Sequence, residues 1–355
     1  MIKKVLALLL ALIMVFSFAA CGEEKKQEEA DEKAVWPYGQ TVTVYSGYSA
    51  GSLTGVGIRT QADWIQKQTG VTVEVESDEV GGGANLITKL VDAEPDGLTM
   101  MQVGINCISN YYDGIWTVNI ADSSKVKICC MAITPHRNSG CCVCTQPDAP
   151  YDTWDEFVAY IKANPGQEKV ASIAGKVQDM KLKAIMNLTG ASDYVHWVST
   201  TNQDGTAALL GDIIDIVMVD EATAANYAAE GDVKVLINLR DDDYSYMPED
   251  TKNLDVLKSF PTLISVFGQD GMKYMVPNQS AWVVPADTPD EVCEEIRKVM
   301  ATLDTEPVVG DEWYQRVRTT GGSAKYYDVD PKECMADWQN LDPIIKGIVE
   351  TKYVK

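Results

Sequence analysis

The chain has 355 residues, 46% of them hydrophobic, and a formal charge of −22. Such an acidic balance excludes nucleic acid and anionic membrane surfaces as partners, but not a small anion held by a few local donors. Roughly 320 residues follow the N-terminal region, too many for one compact core and enough for two lobes.

Lys3 and Lys4 precede an apolar run from Val5 to Ala20, which reads as an export signal over residues 1–20. Phe18, Ala19, Ala20 and Cys21 resemble the lipobox of bacterial lipoproteins, which predicts cleavage before Cys21 and lipidation of its thiol. Residues 21–35 are charged and nearly free of apolar side chains, so they are expected to form a flexible stalk.

Beyond the stalk, "TVTVY", "VTVEVE", "LTMMQVG", "KVASIA", "YVHWVS", "IIDIVMV" and "VKVLINL" read as strands, several of them apolar throughout like buried parallel strands. Between them "GIRTQADWIQKQTG", "ANLITKLVDAE", "TWDEFVAYIKANPG", "DMKLKAIMNLTG" and "TAANYAAEG" read as helices that stop at Gly or Asn-Pro-Gly. Thr153 to Asp155 and Asp179 stand where N-caps are expected. The alternation predicts an α/β architecture with ligands at the carboxyl ends of strands.

Besides Cys21 there are eight cysteines, Cys107, Cys129, Cys130, Cys141, Cys142, Cys144, Cys293 and Cys334. The clusters "ICCM" and "CCVC" lie in apolar runs without a histidine at zinc-ligand spacing, so they read as small buried hydrophobes; a cross-strand disulfide stays open, and no metal site is expected.

The segment "GYSAG" fits the G-x-S-x-G elbow of serine hydrolases, with Ser49 as nucleophile. Yet Ser49 follows the first strand of the mature chain, with no earlier sheet to hold an oxyanion loop, and His136 and His196 carry no flanking pattern of a base. A strand that ends in Gly47, Ser49, Gly51 and Ser52 before a helix instead exposes backbone N–H groups at a positive dipole end, which is an anion cradle.

"VTVYSGYSAGSLTGVGIR", "VEVESDEVGGGANLITKLVDAEPDGLTM", "TWDEFVAYIKANPG", "ASDYVHWVSTTNQDGTAALLGDIIDIVMVD" and "VVPADTPDEV" fall in the order of the characteristic segments of the substrate-binding proteins of tripartite tricarboxylate transporters, the TctC or Bug family, which the chain resembles over nearly its whole mature length. Its most specific pieces are Gly81 to Gly83, Pro95 to Gly97 and the turn Asp287 to Pro289. The resemblance implies a type II periplasmic-binding-protein fold, two α/β lobes with a central cleft, and a ligand carboxylate held by backbone amides and water.

Carried over residue by residue, the first ligand loop is Tyr48, Ser49, Ala50, Gly51, Ser52 and Thr54, and the second is Gly81, Gly82 and Gly83, where glycine lets a ligand approach the backbone. The second lobe supplies Ser172, Gly175 and Lys176, then Ser199, Thr200, Thr201 and Asp220. Departures from the family include Gly55 for an aspartate, Lys176 and Asp179 for Gly-Ser and His, and Val198 to Thr201 for Pro-Tyr-Lys-Gly. Lys176 is a candidate cation for a second carboxylate, and Trp197 a cleft wall or plain core.

The expected lobes are 36–145 with 265–355, and 146–264, with crossings near Cys144 to Asp148 and Pro261 to Gly268. The resemblance implies a monomeric, lipid-anchored extracytoplasmic receptor that hands a small organic acid to a permease and needs no cofactor. A ligand sensor for a signalling partner, or an esterase using Ser49, are the alternatives.

Overall fold

The computed structural model describes residues 35–134, 139–172, 177–200, 202–245, 247, 251–305 and 326–350. The first sheet is built from β1 (Val42–Ser46), β2 (Val73–Ser77), β3 (Thr99–Gly104), β4 (Val126–Met131) and β10 (Ser280–Pro285), in the order β2-β1-β3-β10-β4. β1 pairs in parallel with β2 and β3, whereas β10 runs antiparallel to β3 and β4. The last five residues of β3 and of β10 are all buried, as a strand covered on both faces requires.

The second sheet contains β5 (Cys141–Thr145), β6 (Lys169–Ser172), β7 (His196–Ser199), β8 (Ile216–Asp220) and β9 (Lys234–Asn238), ordered β7-β6-β8-β5-β9. Here β5 is the reversed strand, antiparallel to β8 and β9. Each sheet thus has one antiparallel member, and each of these is the strand that follows a passage between the lobes. The all-buried cysteine run of β5 belongs to the second sheet, so the outward passage spans 132–140, ahead of the expected Cys144 to Asp148. Hydrophobicity marks such a strand as buried but does not say in which sheet. The return is also displaced: Leu263, Val266, Phe267 and Met275 pack on the second core, and Val276 is the first residue back on the core of the first lobe.

Eleven helices connect these strands among the described residues: α1 (Leu53–Thr69), α2 (Ala84–Val91), α3 (Cys107–Tyr112), α4 (Trp154–Ala163), α5 (Val177–Leu188), α6 (Asn202–Leu210), α7 (Glu221–Glu230), α8 (Leu254–Lys258), α9 (Leu263–Phe267), α10 (Asp290–Thr305) and α11 (Pro331–Glu350). Thr153 caps α4, accepting from Glu156 N at 3.2 Å. Asp179 is no cap: it lies inside the first turn of α5, buried, accepting from Ser172 Oγ at 2.9 Å and pairing with Lys183 at 2.6 Å. α5 also joins the lobes, because Met180 and Ala184 enter the first core while Leu182, Ile185 and Met186 enter the second. All eight cysteines outside the N-terminal region are free and buried.

The outward passage is pinned at both ends by buried side chains. On the first lobe Gln61 Oε1 accepts from Ile133 N at 3.0 Å and from Trp282 Nε1 at 2.9 Å. Toward the second lobe Ser139 O accepts from Asn278 Nδ2 at 2.7 Å and Lys181 Nζ at 3.2 Å, and Gly140 N donates to Glu221 Oε2 at 3.0 Å. Glu221 in turn pairs with fully buried Arg240 at 2.9 Å. A Cβ at Gly140 would stand 1.7 Å from Asn238 Oδ1 and 2.9 Å from Glu221 Oε2. Gly140→Ala is therefore expected to force Asn238 and the ion pair apart and to lower stability by roughly 2–4 kcal/mol in chemical denaturation. An unchanged midpoint and slope would contradict this anchoring.

Candidate functional site

β2, β1 and β3 are parallel neighbours, so the segments after their carboxyl ends share one edge of the sheet: the turn at 78–83, the loop at 47–52, and the start of α3. In the first loop Ser46 Oγ accepts from Tyr48 N at 3.3 Å. The carbonyl of Ser49 then accepts from Ser52 N at 3.1 Å and from Ser52 Oγ at 2.8 Å. Ser52 is the N-cap of α1, its hydroxyl accepting from Gly55 N at 3.1 Å, and the first helical bond runs from Val56 N to Ser52 O at 2.8 Å.

This arrangement leaves the amides of Leu53 and Thr54, in the first turn, without an intrahelical acceptor. Among the described residues the amides of Ala50 and Gly51 find no acceptor either, and Ser49, Ala50 and Gly51 are exposed. No acidic residue occupies the first turn of this 17-residue helix. Several N–H donors at a helix N-terminus favour an anion there.

Gly55 is required by the same geometry, because a Cβ would lie 1.9 Å from Ser49 O. The aspartate usual in the family cannot fit under a carbonyl held there by Ser52.

Gly81, Gly82 and Gly83 have φ of 58°, 65° and 90°, the left-handed region that disfavours residues with a Cβ. The expectation that this run opens its amides to a ligand changes in detail. Gly82 N donates to Glu79 O at 3.0 Å and Gly83 N to Val80 O at 3.1 Å, so both close the turn, and only the Gly81 amide stays uncommitted. The closest approach is between the loops themselves: a Cβ at Gly47 would stand 2.1 Å from Gly82 O, and one at Gly83 would stand 3.0 Å from Gly47 Cα. Glycine here seats one loop on the other.

Tyr48 turns inward beneath the first loop, its hydroxyl 3.9 Å from Cys107 Sγ. Burial raises its pKa well above the usual tyrosine value, as burial raises that of Cys107 to about 11, so both stay neutral. Neither Cys107 nor α3 was legible as part of the site, because "NCISNYYDG" has no helical period long enough to read.

In the second lobe Ser172, Ser199 and Asp220 end β6, β7 and β8, at the carboxyl edge of that sheet. Ser172 O accepts from Thr200 N at 2.9 Å, which brings these two predicted residues together, and Ser199 is exposed. The carboxylate of Asp220 is already engaged as the N-cap of α7, accepting from Thr223 N at 2.9 Å and Thr223 Oγ1 at 2.7 Å. It shapes the edge without offering a free charge. Trp197 donates to Ser192 O at 3.3 Å and packs on the second core, the plainer of its two readings. Gly175, Lys176 and Thr201 lie outside the described residues, as does His136. His196, the other histidine, is exposed in β7.

Gly55→Asp tests the folded loop directly. The change is expected to cost about 2 kcal/mol in denaturation through overpacking against Ser49 O, although it restores the residue common in the family. A variant as stable as the parent would mean that the loop refolds freely around position 55.

A family model described as the tripartite tricarboxylate transporter family receptor matches residues 58–312. A curated relative from Cupriavidus necator, the UPF0065 protein in the gbd 5′ region, is 26% identical over 200 residues, 54% of this chain and 56% of that protein, so the chain spans little more than half its length. Among solved structures, a TctC solute-binding protein from Polaromonas superposes with a TM-score of 0.65 at 18% identity, covering 90% of this chain and 100% of the other. MatC from Rhodopseudomonas palustris, with bound malate, gives a TM-score of 0.64 at 17% identity, covering 88% of this chain and 99% of the other. The structures share the two-lobed periplasmic-binding fold, and the family match covers every strand of both sheets except β1. The chain belongs to the tripartite tricarboxylate transporter family receptors.

Proposed function

We propose that the protein captures a small organic acid between its lobes and delivers it to a permease of the tripartite tricarboxylate type. The observation that carries this reading is the set of unbonded amides at the N-terminus of α1, Ala50, Gly51, Leu53 and Thr54, with no acidic side chain in the first turn. The malate in the related MatC supports a carboxylate as the anion. Ser199 and Thr200, at the facing edge of the second lobe, are proposed to meet the far end of the ligand, joined by Gly175, Lys176 and Thr201. Asp220 and Gly83 contribute shape rather than contacts.

The work is closure rather than chemistry. The lobes rotate about the anchored passages, bury the acid, and offer the permease a closed surface distinct from the open one. Cys21 would carry the lipid that tethers this cycle at the outer face of the membrane. Among the described residues no helix is long and apolar enough to cross a membrane.

A thermal-shift screen of small carboxylic acids tests the reading, since a ligand at about 100 times its Kd adds roughly 2.7 kcal/mol of stability. Ser49→Ala should then bind the same acid with affinity lowered about two- to tenfold, the worth of one hydroxyl contact, because the amides remain. An absence of stabilisation by any acid, or ester hydrolysis that disappears in Ser49→Ala, would overturn the proposal.

A further inference from the structure

We propose that Asn110 is a specificity-determining residue, whose side-chain amide reads an oxygen substituent of the acid next to the turn at Gly81 and Gly82. Asn110 lies on α3, directly after β3, the neighbour of β1 in the sheet. It is only 5% exposed, and among the described residues nothing hydrogen-bonds its carboxamide, whose atoms keep that small opening. An amide that reaches the surface only through so small an opening is placed to pair with a group brought against that opening.

The position of Asn110 does not depend on its side chain. Its backbone carbonyl accepts from Ile115 N and Trp116 N, both at 2.9 Å, which fixes the turn after α3. Trp116 Nε1 then donates to Gly81 O at 2.8 Å, locking that turn onto the second loop. A methyl at Gly82 would stand 3.4 Å from Asn110 Nδ2, so the amide lies beside the loop that packs against Gly47. The uncommitted Gly81 amide and the Asn110 carboxamide therefore flank one turn, and that turn touches the loop leading into the α1 cradle.

A primary amide donates two hydrogens and accepts through its oxygen, so it suits a hydroxyl, a carbonyl or a second carboxylate and gains nothing from a hydrocarbon. A site built to bond such an oxygen rejects the analogue that lacks it, because its own polar group is then left unpaired. The inference rests on the reading of the cleft as a carboxylate site, and it names the feature that selects among carboxylic acids.

The test is calorimetric titration of the full chain with hydroxylated, oxo and unsubstituted mono- and dicarboxylic acids, malate and succinate among them, for the parent protein, Asn110→Leu and Asn110→Asp. The parent is expected to prefer the oxygen-bearing member of a pair. Asn110→Leu should lose about tenfold in affinity for that member and little for the other, collapsing the preference. Its ligand-free melting temperature should stay close to that of the parent, since the amide holds no bond among the described residues. Asn110→Asp should bind every acid more weakly than Asn110→Leu. An unaltered preference in Asn110→Leu, or a lowered melting temperature with intact affinity, would overturn the inference while leaving the carboxylate reading in place. Failure of the parent to bind any acid would overturn both.

Discussion

The carbonyl of Ser49 sets the shape of the whole site. Held by the amide and hydroxyl of Ser52, it fills the space over Gly55 and turns the first loop so that Ser52 caps α1 while the amides before and after the cap stay open. One serine thus closes the loop and starts the helix. The open amides follow from helix geometry, because a first turn has no earlier carbonyls to bond. What this sequence contributes is a first turn without an acidic residue and, among the described residues, no side chain that bonds these amides.

A cradle on one lobe becomes a receptor only if the other lobe can move without losing its place. The passage over 132–140 meets that need by being fixed at its ends: Gln61 grips Ile133 from the first lobe, and Glu221 with Lys181 grips Gly140 and Ser139 from the second. Gln61 lies on α1, two turns beyond the cradle, so the helix proposed to bind the anion also holds the first end of the passage between the sheets. The ion pair of Glu221 with Arg240 is buried, where losing one partner strands a charge, and this makes the second-lobe anchor stiff. α5, sharing its side chains between both cores, adds a second physical link between the lobes.

Much of this was legible in the sequence where local rules act alone. The seven strands read from β-rich runs are present, and the glycines of "VGGG" take positive φ in the structure. The elbow-like "GYSAG" is legible as a strand-to-helix turn from the glycines and serines between a β-rich run and a helical pattern, whereas the capping role of Ser52 emerges only in the structure. Tertiary partners were not legible. "CCVC" reads as buried in either sheet, and only its pairing with β8 and β9 puts the crossing ahead of it. Asp220 stands as a ligand group by the family resemblance, and only the position of Thr223 reveals it as a cap. Gly82 and Gly83 look like ligand-facing glycines until Gly47 is found packed against them. Asn110 sits on a helix of six residues, too short to leave a periodic signal.

The central claim is that backbone amides at the start of α1 hold the anion, and amide NMR tests it most directly. Titration with an acid that stabilises the protein should move the Ala50, Gly51, Leu53 and Thr54 amide protons downfield together, saturating with the calorimetric affinity. Saturable binding that leaves those four resonances unmoved while shifting amides elsewhere would contradict the account.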